Sequence, residues 1–293
     1  MQEISDNVYF ALKELLLSLA DDEFVIGYAN SEWTGIAPVL EEDIAFSSLA
    51  QDELGHAKLF YELIAELQIA NCKMQTNELP NLQSAILRLR SGQVCNLQSP
   101  DEIAYGRVPE AFRNAQLVER PRGDWAYSVS RQFLYDTADY ARLESLQRSA
   151  DAPLATAAGS IIREEKYHLL HAQTWLERLA NGSAEARARQ HAAFTALWPD
   201  ALGLFEPLPG EAELLAAGIM PASSAALQAR WLDSIAAPLR RLGLQWPFDE
   251  REGGWEPQFT PGYGGRRGVH GASFLALYDT ITSVYQLDPS AKW

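Results

Sequence analysis

Two four-residue motifs of one kind, Glu53-Leu54-Gly55-His56 and Glu165-Lys166-Tyr167-His168, constrain this chain more than any other feature. Residues three apart on an α-helix share a face, so each motif offers a carboxylate and an imidazole to one point in space. A single such motif is weak evidence. Two of them on separate amphipathic segments match a two-metal site inside a four-helix bundle, provided that each of the other two helices adds a carboxylate.

Hydrophobic patterning at a period of 3.6 predicts four long helices, at about residues 7–30, 40–70, 124–148 and 153–180. The stretch from Asn71 to Gly123 carries a short predicted helix at Leu82 to Arg90 and makes the crossover that joins two helical hairpins. Residues 183–293 read as a C-terminal helical extension, with segments at Glu185 to Phe205, Ser223 to Leu242 and Ala272 to Leu287. Trp246 to Gly268, rich in Pro, Gly and aromatics, reads as an ordered surface loop or a partner-binding segment. No boundary signal divides the chain, so the expectation is one all-α domain spanning 1–293.

The two missing carboxylates follow from spacing. In an antiparallel hairpin, residues equidistant from the turn lie at one height. Pro38, in the turn signal Thr34-Gly35-Ile36-Ala37-Pro38, lies 15 residues from Glu53 and 15 from Glu23. The turn Ser149-Ala150-Asp151-Ala152-Pro153 likewise sits midway between Asp136 and Glu165. Glu23 thus pairs with Glu53 at a separation of 30 and Asp136 with Glu165 at 29, a concealed repeat of two hairpins. Helical phase agrees: Leu12, Leu16, Leu19, Glu23 and Ile26 share a stripe, as do Phe46, Leu49, Glu53, His56 and Phe60. Val129, Phe133, Asp136, Tyr140 and Leu143 form the third stripe, and Leu154, Ala158, Ile161, Glu165, His168 and Ala172 the fourth.

Four carboxylates in an apolar seam would each cost several kcal/mol without compensating charge. Two divalent ions supply it, with both imidazoles neutral. Oxygen and nitrogen donors suit iron or manganese, and the lack of thiolate argues against structural zinc. The expected metal ligands are Glu23, Glu53, His56, Asp136, Glu165 and His168, with Asp139, one turn from Asp136, as an alternative at that position. Glu164 and His171 are expected to face outward or to support a ligand through a hydrogen bond. Asp21-Asp22 and Glu41-Glu42 read as solvated helix charges, and His191 as structural. Arg266 and Arg267, flanked by glycines, read as solvated loop arginines or as a contact for an acidic partner or phosphorylated substrate.

A formal charge of −15 repels nucleic acid and anionic membrane surfaces on average. Leu15-Leu16-Leu17 lacks a preceding basic region and is broken by Ser18 and Asp21, so neither a signal peptide nor a membrane span is expected. Cys72 and Cys95 form no CxxC pair and read as reduced thiols of a cytoplasmic protein.

A wider set of residues carries a family resemblance. It comprises Ser31-Glu32-Trp33-Thr34-Gly35, Ala37-Pro38, Glu41 to Ala45, Asp52 to Ala57, Phe112-Arg113-Asn114, Glu119-Arg120-Pro121 and Gly123-Asp124-Trp125. Arg131-Gln132-Phe133, Glu164 to His168, Trp175 to Leu179, Gly264 to His270 and the terminal Trp293 complete it. Together these resemble the phenylacetyl-CoA epoxidase subunits of phenylacetate degradation, and within them the PaaC type. The resemblance implies a ferritin-like bundle within a cytoplasmic oligomeric complex that epoxidises phenylacetyl-CoA with O₂ and reductase-supplied electrons. It further implies a catalytic di-iron subunit as partner, with no organic cofactor on this chain. PaaC-type subunits are usually considered structural and have often lost their ligands. All six ligand residue types are intact here, so a retained di-iron site, or a chain that itself activates O₂, are both expectations of the sequence.

Overall fold

The computed structural model describes residues 5–76, 86–88 and 94–291. Its core is four long helices: α1 (Asp6–Ser31), α2 (Leu40–Thr76), α4 (Trp125–Leu146) and α5 (Ala152–Ala180). Between α2 and α4 lie an antiparallel pair of short strands, β1 (Ile86–Arg88) and β2 (Val94–Asn96), and the short helix α3 (Pro100–Tyr105). Residues 86–88 are therefore strand where a helix was predicted at Leu82 to Arg90, and the rest of that prediction lies outside the described residues.

Local chemistry sets the helix ends. Asp124 and Asp151 cap α4 and α5, their side chains accepting from the amides of Tyr127 and Leu154 at 2.9 Å, each such cap contributing about 1 kcal/mol. Gly35, at φ +84°, takes the left-handed conformation that turns α1 back into α2.

Cross-helix contacts give the topology. α1 runs antiparallel to α4, since Asn30 meets Gln132 and Asp22 meets Arg142. α2 runs antiparallel to α5, since Glu42 meets His171 and His56 meets Glu164. With each hairpin also antiparallel, α2 and α4 point the same way, so the chain between them must return along the bundle. That is the crossover of an all-α ferritin-like bundle.

The C-terminal part adds α6 (Ala184–Gly203), α7 (Glu211–Ala216), α8 (Ser224–Arg241) and α9 (Ala272–Leu287). The segment from Trp246 to Gly268 is ordered: it forms a hairpin of β3 (Phe248–Arg251) and β4 (Gly254–Pro257), whose aromatics pack around Trp198 and Trp246. One hydrophobic cluster draws residues from all nine of these helices. Because this extension and the loop before α4 cover the bundle, α1 is buried on nearly every side.

Candidate metal centre

Each hairpin brings its motif to mid-bundle. Glu23, Glu53, His56, Asp136, Glu165 and His168 are all buried, at most 2% exposed. Ligand atoms of Glu23, Glu53, His56 and Glu165 lie within 4.8 Å of one another. His168 joins them, its Nδ1 3.0 Å from Glu165 Oε1 and 3.5 Å from Glu53 Oε1. Asp136 lies beside the same group, one oxygen accepting from Gln132 Nε2 at 2.5 Å. Glu53 and Glu165 each approach both imidazoles, whereas Glu23 meets only His56.

The outer ring nitrogens are held by a crossed pair of carboxylates. Glu164, preceding Glu165, places Oε2 2.9 Å from His56 Nε2, and Asp52, preceding Glu53, places Oδ2 3.3 Å from His168 Nε2. An acceptor at Nε2 fixes the proton there and turns Nδ1 inward as a donor of electrons. Glu164 thus supports His56 through a hydrogen bond, one of the two roles the sequence allowed, and Asp52 was missed. The available signal was an acid directly before both motifs.

Electrostatics show what the cluster lacks. Burial holds Glu23 well above the ordinary carboxylate range, with Glu53 and Asp139 adding to the rise. Burial and Glu165 do the same to Asp136, and burial with Glu53 pushes Glu165 up to about 7. Glu53 is the exception: burial opposes its ionisation, but hydrogen bonds from Glu23 and both histidines hold it low. Burial also disfavours the charged histidines, yet bonds to Glu23 and Glu53 push His56 up to about 12, and Glu165 and Glu53 raise His168. The metal-free cluster therefore traps protons to balance its own charge. Among the described residues no lysine or arginine pairs with Glu23, Glu53, Asp136 or Glu165.

Asp139 is different. Its Oδ1 accepts from Arg142 Nη2 at 2.7 Å, and Arg142 also reaches Asp22 at 2.6 Å. Its Oδ2 is nevertheless buried without a partner and burial holds its carboxyl above the ordinary range, so Asp136 and Asp139 both stay candidates at this position, Asp139 being the one already paired with an arginine.

Several charged residues sit elsewhere than expected. Asp21 and Asp22 are fully buried rather than solvated: Asp21 binds Arg107 and Tyr61, and Asp22 binds Arg142 and Arg266. Arg266 is 1% exposed, not a loop cation awaiting a partner, and Arg267 pairs with Glu206 at 3.1 Å. Glu42 is buried and 2.7 Å from His171 Nε2. Cys72 is buried and disulfide-bonded, not a free thiol. His191 is half-buried on α6, outside the cluster. Among the described residues no helix is long and apolar enough to cross a membrane.

Comparison with known proteins agrees with the resemblance drawn from the motifs. A family model described as phenylacetic acid catabolic protein matches residues 2–293. The chain is also 27% identical over 277 residues to the C-type subunit of the 1,2-phenylacetyl-CoA epoxidase of Escherichia coli strain K12, covering 94% of this chain and 97% of that relative. With the match running through bundle, crossover and tail alike, the chain belongs to the phenylacetic acid catabolic protein family.

Proposed function

We propose that this chain is the PaaC-type subunit of a cytoplasmic phenylacetyl-CoA epoxidase, acting in phenylacetate catabolism beside a catalytic subunit and a reductase, and that it retains a di-iron site. Family membership and the relative's role support the pathway assignment. One observation carries the metal assignment. Each of the six side chains ends in a buried atom that makes no well-aligned hydrogen bond, its close approaches being to other members of the cluster: Glu23 Oε2, Glu53 Oε2, His56 Nδ1, Asp136 Oδ2, both oxygens of Glu165 and His168 Nδ1. Orphaned acceptors so close together are costly unless a cation gathers them.

Glu23 and His56 would hold one ion, Asp136 and His168 the other, with Glu53 and Glu165 between the two. Iron bound there supplies redox chemistry toward O₂. The protein's own residues would supply the buried surroundings, the inward-facing imidazole nitrogens and the carboxylate charge that would keep the metals in place.

A partner subunit has a surface to use. Helices α2 and α5 expose the apolar side chains Leu40, Ile44, Tyr167 and Leu170. Exposed apolar side chains, where they form a patch, mark interaction surfaces. The intact ligand set favours a second reading, in which this chain itself activates O₂. Co-expression with the catalytic subunit and replacement of Glu53 and Glu165 together by alanine separates the two. The proposed reading expects assembly and epoxidation to persist; a fall of orders of magnitude in reductase-dependent epoxidation with assembly intact would transfer catalysis to this chain.

A further inference from the structure

The two outer carboxylates of the cluster are each gripped by one oxygen only, and both grips come from α4. Tyr135, fully buried, donates its hydroxyl to Glu23 Oε1 at 3.0 Å and leaves Oε2 without a partner. Gln132, 1% exposed, donates Nε2 to Asp136 Oδ1 at 2.5 Å and leaves Oδ2 without a partner. The Gln132 amide is itself oriented from the opposite helix, since Asn30 Nδ2 donates to its Oε1 at 2.8 Å, and its Nε2 also reaches Glu53 Oε1 at 3.4 Å. Two carboxylates facing one amide nitrogen require the amino end there, so the orientation is fixed by chemistry.

The identity of these donors matters as much as their position. Asp139, one turn further along α4, is held at Oδ1 by Arg142, a charged donor rather than a neutral one. A phenol and an amide hold an oxygen in place without cancelling its charge. They leave that charge for an ion to meet while preventing the carboxylate from turning both oxygens toward it. Glu165, by contrast, meets no such neutral donor; its near neighbours are the two imidazoles.

We propose that Gln132 and Tyr135 are positioning residues that fix Asp136 and Glu23 so that each presents a single oxygen to its metal. The proposal rests on the di-metal reading above. It makes the outer ligands one-handed before any ion arrives, which lowers the ordering cost of binding.

The test is a titration of the full-length, metal-free protein with Co(II), reading affinity by competition with a chelator and ligand geometry by the visible ligand-field bands. Tyr135→Phe and Gln132→Met remove each donor with little change of shape, and Gln132→Glu replaces the donor by an acceptor. Ser130→Ala, elsewhere on α4, serves as the control. Each donor variant is expected to bind one of the two ions roughly ten- to hundredfold more weakly and to shift the bands of that ion, with Gln132→Glu the most affected. A purely structural role would change thermal unfolding but leave the bands where they were, and variants with wild-type affinity and wild-type bands overturn the proposal. Should Gln132→Glu fail to fold, the two neutral isosteric variants carry the comparison. Wild-type protein that takes up no Co(II) would overturn the di-metal reading itself, and the positioning role with it.

Discussion

Arg266 offers the sharpest test of how the C-terminal tail and the bundle depend on each other. Its guanidinium, 1% exposed, donates to both oxygens of Asp22 at 2.8 and 2.6 Å and to the carbonyls of Ser18, Arg113 and Leu204. Replacement by alanine leaves Asp22 with Arg142 and the Ala115 amide, but strands loop carbonyls and opens a cavity. Removing one partner of a buried pair costs about 3–5 kcal/mol, a large share of the roughly 5–15 kcal/mol that holds a domain together. In a chain of this size that corresponds to a fall of about 5–8 °C in melting temperature. Arg266→Lys should recover only part of the loss, because an ammonium cannot make the forked contact. Arg267→Ala should cost under about 1 kcal/mol, since its pair with Glu206 is open to water on the arginine side. Urea unfolding of metal-free protein at neutral pH reads all three, with unchanged slopes. A loss below about 1 kcal/mol for Arg266→Ala would refute the reasoning.

Other outcomes follow from the same physical picture. Metal-free protein should lose stability as pH rises from 5 to 8. Glu165, raised to about 7, favours folding only while protonated, a contribution complete below its unfolded value near 4.5 and lost through about 7, and His56 acts in the same direction above 6.5. Thermal melts that rise over this interval without metal would contradict the trapped-proton picture, and added Fe(II) or Mn(II) should restore the lost stability at pH 8. His56→Ala and His168→Ala should each lower metal content measured by mass spectrometry, whereas His191→Ala should not; equal losses from all three would mean that the inward stripe is not the ligand face. Asp52→Asn and Glu164→Gln should each weaken iron binding about tenfold by loosening the imidazole they hold, and unchanged affinity in both would deny the crossed pair a role.

That these six residues would be buried together could be read from the sequence because bundle geometry is periodic. A ligand must sit on the inward stripe and at the height of its partner, and Glu23, Glu53, Asp136 and Glu165 met both conditions. Long-range ion pairs obey no such rule. Asp21 and Asp22 look like solvated charges because an isolated four-helix bundle would leave their side of α1 in water. Their partners arrive from 86 residues away at Arg107 and 244 away at Arg266, on segments whose paths no local pattern records. The tail glycines show the same limit. Gly265 and Gly268 read as flexibility, but a Cβ on either would run into the backbone carbonyls of Asn114 and Glu110. They are there for close docking, which carries Arg266 into the core. Cys72 escaped for a related reason: the chain has two cysteines, and spacing alone does not reveal whether they meet across the crossover. Gln132 stood out in the sequence only within a motif and Tyr135 not at all, because hydrogen-bond direction depends on rotamers rather than on period.

The two-metal reading assigns six side chains, drawn from four helices, to one site in this subunit. Metal content after anaerobic loading with Fe(II) and removal of excess ion tests it most directly, with the Glu53→Ala, Glu165→Ala double variant measured alongside. The expected result is about two iron ions per wild-type chain and close to none in the folded double variant. Wild-type protein that folds correctly yet retains no iron, or a double variant that retains as much as wild type, would contradict the account.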